Sequence, residues 1–258
     1  MVACPAVPPS AMLAHGSAGH RVANWYFSLA DGVRWLYDRR IDTPAILDTE
    51  RYFPNASRFV VAWPALRDEA MGIAAEMHRV PRFHEIMPEQ EGISANDGRD
   101  WRMYIMKAYG HVSQENLSRC PTMASLLKDC PEVLSATYSF LAPGKHVPEH
   151  RGPFRGILRF HLGLSMPRDG EGKLGAILWI DHKPVLLDNG DCLLWDDTYP
   201  HELLNTADQV RAVLLLDVWR PAMPADMKAL SSVVVGAMRA VTAMNEARAS
   251  LSQAQHPG

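Results

Sequence analysis

The chain has 258 residues, 47% of them hydrophobic and 21% charged, and carries a formal charge of −3 at pH 7. That balance excludes a disordered or low-complexity chain, and the near-neutral charge leaves no electrostatic footprint for nucleic acid. Cys4, Cys120, Cys130 and Cys192 form no CxxC pair, which excludes a disulfide-stapled scaffold and is expected of a reducing, cytoplasmic setting.

Residues 1–20, rich in Pro, Ala, Gly and Ser, read as a loose terminus without the cationic start or apolar stretch of a secretory signal. Tyr26, Leu29, Val33 and Leu36 recur at helical spacing and predict a helix over 22–37. Leu66, Ala70, Ile73, Ala74 and Met77 predict a second, entered through Pro64 and ended before Pro81. A third follows Pro121 and stops near Cys130. The region 21–130 is thus expected to be mostly helical, with connecting loops around 88–100.

From Leu134 the pattern changes. Segments 134–141, 155–165, 174–180, 184–188, 192–195, 201–204 and 209–219 are short and rich in Val, Ile, Leu and aromatic residues. Turn signals such as Pro143-Gly144 and Asp188-Asn189-Gly190 separate them. They predict a β core over 131–222, a sandwich or barrel, within one domain spanning 21–258. A C-terminal helix is expected over 223–252, with Met227, Leu230, Val233, Val234, Met238 and Val241 on its packed face. No run approaches the roughly 20 apolar residues of a membrane span, and peripheral membrane contact is left open.

The chemistry concentrates in two blocks, His146-Val-Pro-Glu-His150-Arg-Gly-Pro with Arg155 to Leu164 behind it, and Asp196-Asp197-Thr-Tyr-Pro-His201 with Arg211 and Asp217 behind it. Taken as a strand, 155–164 turns Arg155, Ile157, Arg159 and His161 to one face and Leu158, Phe160, Leu162 and Leu164 to the other. Arg and His facing into a β cavity, with Arg211 embedded in a run of Val and Leu, require an anionic partner inside. A small di-acid satisfies them. His146 stands four residues before His150, but Pro143-Gly144 and Pro148 exclude the helix on which that spacing would share a metal, so His146 is left out.

In these residues the chain resembles the aspartyl/asparaginyl β-hydroxylase family of iron(II)- and 2-oxoglutarate-dependent dioxygenases. The resemblance is carried by His150-x-Gly152, Arg159-x-His161, Asp197-x-x-x-His201, Arg211 and Asp217-Val-Trp219-x-Pro221, and covers roughly 100–222. It implies a double-stranded β-helix (a jelly roll, cupin-like) and a reaction in which O2 and 2-oxoglutarate hydroxylate a C–H bond with release of succinate and CO2. It assigns His150 and His201 to iron, and Arg211 with Ser139 to the distal carboxylate of 2-oxoglutarate. Arg159 and His161 fall to its other end, and Trp101 lies near the site. Many such oxygenases carry a carboxylate ligand two residues after the first histidine, where this chain has Gly152. Asp197 matches an aspartate that holds water at the metal.

The substrate is expected to be a small molecule or a peptide, an amino-acid-derived or aspartyl/asparaginyl-like group. Hydroxylation of lipid acyl chains and a non-catalytic 2-oxoglutarate sensor are the alternatives. Thr137 and Ile157 stand where animal members carry basic residues for an aspartyl carboxylate, which speaks for a less acidic substrate. A halogenase, with chloride beside Gly152, is disfavoured by the charge of Asp197. The sequence leaves the oligomeric state open.

Overall fold

A computed structural model describes residues 30–255, with side chains to residue 244. The predicted loose terminus and residues 22–29 of the first predicted helix lie outside the described residues. Residues 30–38 form helix α1, and a short strand β1 (Ile46–Leu47) follows. Small helices α2 (Thr49–Tyr52) and α3 (Ala56–Val61) lead into α4 (Trp63–Ala74), which holds Pro64 in its first turn as predicted. Two single-turn helices, α5 (Phe83–Ile86) and α6 (Glu91–Ser94), precede β2 (Trp101–Ala108) and β3 (His111–Val112). Helices α7 (Gln114–Ser118) and α8 (Pro121–Asp129) then lead to the main strands. These are β4 (Val133–Leu141), β5 (His146–His150), β6 (Ile157–Ser165), β7 (Ala176–Ile180) and β8 (Lys183–Val185). After β9 (Cys192–Trp195), β10 (His201–Asn205) and β11 (Arg211–Trp219), helix α9 (Ala225–Gln255) closes the described chain.

The strands make two antiparallel sheets, one ordered β1-β9-β6-β11-β4-β2-β3 and the other β5-β10-β7-β8. The protein is mainly β with helical flanks, a jelly roll of the double-stranded β-helix kind. Alternation on β6 and β11 divides the larger sheet as the sequence predicts. Its outer face carries Phe160, Leu162, Leu214, Leu216, Tyr138 and Met106, all buried against Phe59 of α3, Leu66 and Ile73 of α4 and Met123 of α8. Each such side chain contributes about 1.5–3 kcal/mol by leaving water. The inner face carries Arg159, His161, Asp217 and Ser139. An apolar plug of Leu141, Val147, Leu178, Leu203 and Val213 fills the space between the sheets beyond them.

Four readings need correction. The first half is not purely helical: β2 lies beside β4, with Met103 opposite Ser139, so the β core begins thirty residues earlier than 131. The segment bearing His146 and His150 is a strand, β5, at the edge of the smaller sheet, and Pro148 is tolerated there because the ladder with β10 slips between His201 and Leu203. Arg155 precedes β6 instead of pointing into the barrel. On α9 the packed face is Met227, Ser231, Val234 and Val235, while Val233 and Val241 face solvent. Residues Ala225–Met244 of that helix are, by length and composition alone, apolar enough to cross a membrane, and only a minor share of the segment is buried. Ser, Gly, Lys228 and Arg239 break the run and hide it from a search for unbroken apolar sequence. Cys120 and Cys130 are buried and unpaired.

Candidate active site

His150 ends β5 and His201 begins β10, and the antiparallel register sets them directly opposite each other. Their ring centroids are 4.0 Å apart with planes at 56°. Both rings are held alike: Nδ1 of His150 donates to the Pro148 carbonyl at 2.8 Å, and Nδ1 of His201 to the Tyr199 carbonyl at 2.9 Å. A carbonyl only accepts, so each proton sits on Nδ1 and each Nε2 keeps its lone pair. Burial keeps both rings neutral, moving the His150 pKa down to about 4 and that of His201 well below its usual range, where His150 adds to the effect. Trp195 packs edge-on to His201 at 4.7 Å and to His161 at 5.3 Å, a supporting role in the core.

Two neutral imidazoles with converging free nitrogens suit a divalent transition metal. Among the described residues no three His, Cys, Asp or Glu side chains gather at a metal's reach. The place of a third ligand is explained by Gly152. A Cβ there would lie 2.3 Å from Oδ1 and 2.4 Å from Cγ of Asp197, so the Asp197 carboxylate fills the volume a side chain at 152 would take. The Gly152 amide also donates to the Asp197 carbonyl at 2.6 Å. Burial raises the Asp197 pKa to about 6 against the pull of Arg159.

Arg159 is fixed before any ligand arrives. Its Nε donates to Asp217 at 3.0 Å, and its guanidinium lies 3.1 Å from Asp197. Burial opposes its charge, but Asp217 and then Asp197 outweigh that and hold its pKa above the ordinary value.

Arg211 is the opposite case. It is 2% exposed, its Nε has no hydrogen-bond partner, and burial alone lowers its pKa to about 10. Nδ1 of His161 is likewise buried and unbonded, and burial, then Arg211, then Arg159 push its pKa well below the usual range. A buried unpaired guanidinium is costly unless an anion completes it. Leu141 is paired with both Arg211 and Trp101, and two residues back along β4 Ser139 accepts a hydrogen bond from Trp101 Nε1 at 3.0 Å. Phe83 stacks on Trp101 at 4.1 Å. The sheet therefore carries an anion-seeking end at Arg211, Ser139 and Trp101 and a second cation, Arg159, near the paired histidines.

The predicted site residues come together, but the groups that hold them were not legible. Asp196, fully buried, accepts from Arg155 Nε at 2.8 Å and from Arg220 and Thr198, clamping the turn that carries Asp197 and His201. Arg34 of α1, paired with Asp31, donates to the Gly152 carbonyl at 2.8 Å. Lys145, buried, donates to the Ser94 carbonyl, Asn96 and Asp97 at 2.6–2.7 Å and anchors the start of β5. His146 turns away from the paired histidines, and its Nε2 meets Glu202 at 2.6 Å. His84 lies 3.1 Å from Ser94 Oγ, and the largely exposed His182 lies 3.3 Å from Glu149, both away from the paired histidines.

A profile of the aspartyl/asparaginyl β-hydroxylase family matches residues 61–221. The chain belongs to that family. It is 33% identical over 182 residues to the ornithine lipid ester-linked acyl 2-hydroxylase of Rhizobium tropici, an alignment covering 70% of this chain and 63% of that protein. It is 26% identical over 177 residues to the aspartyl/asparaginyl β-hydroxylase of Homo sapiens, covering 66% of this chain and 22% of that one. The chain thus spans under two thirds of these hydroxylases. Among solved structures, a predicted oxalate decarboxylase of Thermotoga maritima superposes with a TM-score of 0.29 at 15% identity, over 46% of this chain and 81% of that one.

Proposed function

We propose that this hydroxylase-family protein uses iron(II), 2-oxoglutarate and O2 to hydroxylate an acyl chain of a lipid, releasing succinate and CO2. The observation that carries the reading is the pairing of two neutral imidazoles, each with a free Nε2, beside a buried guanidinium with an open hydrogen-bonding position. His150 and His201 would hold the iron through Nε2. Arg211, with Ser139 beside Trp101, would bind the distal carboxylate of 2-oxoglutarate, and Arg159 and His161 its other end. When bound, iron and 2-oxoglutarate supply the oxidising power that replaces C–H by C–OH.

The chain's own residues do the rest. The backbone carbonyls of Pro148 and Tyr199 hold both tautomers, Arg211 supplies a fork matched to a carboxylate, and the apolar plug keeps water from that end. Asp197 contributes negative charge beside the metal site in the volume next to Gly152, which leaves no berth for chloride and argues against halogenation.

The acyl substrate is favoured over the aspartyl or asparaginyl group by the Rhizobium relative, and by Thr137 and Ile157, both buried and uncharged where a carboxylate would need cations. The test is succinate formation with iron, ascorbate, 2-oxoglutarate and acyl lipid in detergent micelles, alongside metal analysis of His150→Ala and His201→Ala. Each substitution is expected to abolish iron retention and turnover. Full turnover in either variant would defeat the ligand assignment, and 2-oxoglutarate binding without turnover of any substrate would indicate a sensor.

A further inference from the structure

Helix α9 has an outward face with nothing described against it. Its inner face, Met227, Ser231, Val234 and Val235, rests on Phe154, Ile157 and Trp219. Tyr37 of α1 fastens it with a hydrogen bond to Ser231 at 2.8 Å, and Arg40 pairs with Asp226 at 2.9 Å. At 100° per residue the opposite side shows Ala229, Val233, Gly236, Ala237, Ala240 and Met244. Val233 is 70% exposed, Met244 53% and Val241 46%. On α1, Trp35 and Leu36 are also exposed, and the Arg39 guanidinium lies 3.7 Å over the Trp35 ring.

Charge selects the occupant. No acidic residue occurs from Met227 to Met244, while Lys228 and Arg239 are exposed on one edge of the apolar stripe. A second copy packed helix to helix would bring those cations together with no carboxylate from the segment to answer them. An anionic lipid surface answers them directly, with the apolar stripe entering the acyl boundary and the cations meeting headgroups. Position agrees with that occupant. Ile157 pairs with Trp219 beneath α9, and the adjacent inward pair on the same strands is Arg159 and Asp217 of the site.

We propose that the outward face of α9 docks this protein on an anionic lipid bilayer, seating the end of the barrel that holds the site against the surface from which an acyl chain would enter. The inference rests on the lipid-acyl reading above for its purpose, but its test does not depend on turnover.

The full chain is mixed with vesicles of phosphatidylcholine containing about one third phosphatidylglycerol, and with pure phosphatidylcholine, and the bound fraction is measured by sedimentation. Binding to the anionic vesicles that weakens as salt rises, and a loss of more than about tenfold in the Val233→Asp, Met244→Asp double variant, are expected. The variant should keep its iron-dependent succinate formation in micelles, which shows that it is folded. No binding at low salt, or binding that the double substitution leaves unchanged, would overturn the proposal. So would a dimer that the substitution dissociates in the absence of vesicle binding. Acyl hydroxylation in micelles without vesicle binding would sink the docking face alone. Vesicle binding without acyl hydroxylation would sink the substrate reading alone.

Discussion

The contact between Gly152 and Asp197 can be tested by adding a single methyl group. In Gly152→Ala the new Cβ would stand 2.3 Å from Asp197 Oδ1, 2.4 Å from Cγ and 2.6 Å from Oδ2, where ordinary contact needs nearly 1 Å more. Either the carboxylate swings away from Arg159, now 3.1 Å distant, or the backbone joining residues 152 and 197 opens. Overpacking of this kind costs about 1–3 kcal/mol. For a chain of this length that lowers the melting temperature by roughly 2–10 °C.

Asp197→Ala removes all three colliding atoms while Arg159 keeps its hydrogen bond to Asp217. The double variant Gly152→Ala, Asp197→Ala should therefore recover about 1–2 kcal/mol relative to the sum of the single effects. Thermal unfolding of the four metal-free proteins measures this cycle. Succinate formation should fall in Gly152→Ala together with stability. Additivity within about 0.5 kcal/mol, or a Gly152→Ala protein that melts like the parent, would refute the argument that Asp197 occupies the space of a side chain at 152.

Two further outcomes follow from buried groups. Arg211→Met replaces an unpartnered guanidinium, whose pKa burial has lowered from 12.5 to about 10, by an apolar chain of similar length. Without ligand the variant should melt higher by the equivalent of roughly 1–3 kcal/mol, while its 2-oxoglutarate requirement rises at least about thirtyfold. A lower melting temperature would mean that Arg211 already has a partner. Burial, with Glu69 nearby, raises the Cys120 pKa from 9.0 to about 12, so at pH 8 the folded state holds roughly a thousandth of the thiolate an ordinary cysteine would. Iodoacetamide should label Cys120 that much more slowly than after unfolding in urea, as read by peptide mass spectrometry. Labelling at the unfolded rate would contradict the burial.

The parts of this molecule legible in its sequence are those where one rule governs a stretch. On β6, strict alternation separates Arg159 and His161 from Phe160 and Leu162, and both the sheet and its polar interior follow from that pattern. β2 is hard to read from sequence because Arg102 and Lys107 and two methionines interrupt the strand-forming Trp101, Tyr104 and Ile105. It is a strand because β4 offers it a ladder and because Tyr104 and Met106 bury on the outer face. β5 was missed because His-Val-Pro-Glu-His is polar and contains Pro, features an edge strand accepts and a central one does not. The candidate ligands stand out through the family resemblance, whereas the residues that hold them carry no such mark. Asp196 meets Arg155 and Arg220 across 41 and 24 positions, and Arg34 reaches Gly152 across 118, separations on which no local pattern bears.

The consecutive carboxylates at 196 and 197 show how one turn carries both duties. The two side chains diverge at this turn, so the neighbours serve different partners. Asp196 turns toward α1 and the barrel end, where Arg155, Arg220 and Thr198 saturate its oxygens. Asp197 turns toward Gly152 and shares only Arg159, a cation that Asp217 already holds. A fully satisfied carboxylate makes the turn rigid, and rigidity lets its neighbour stay buried with a pKa raised to about 6 instead of rotating out to water. The glycine at 152 is then the natural complement. With Asp197 fixed from its own side of the barrel, a side chain at 152 has no room, and the carboxylate beside the paired histidines comes from the adjacent loop instead.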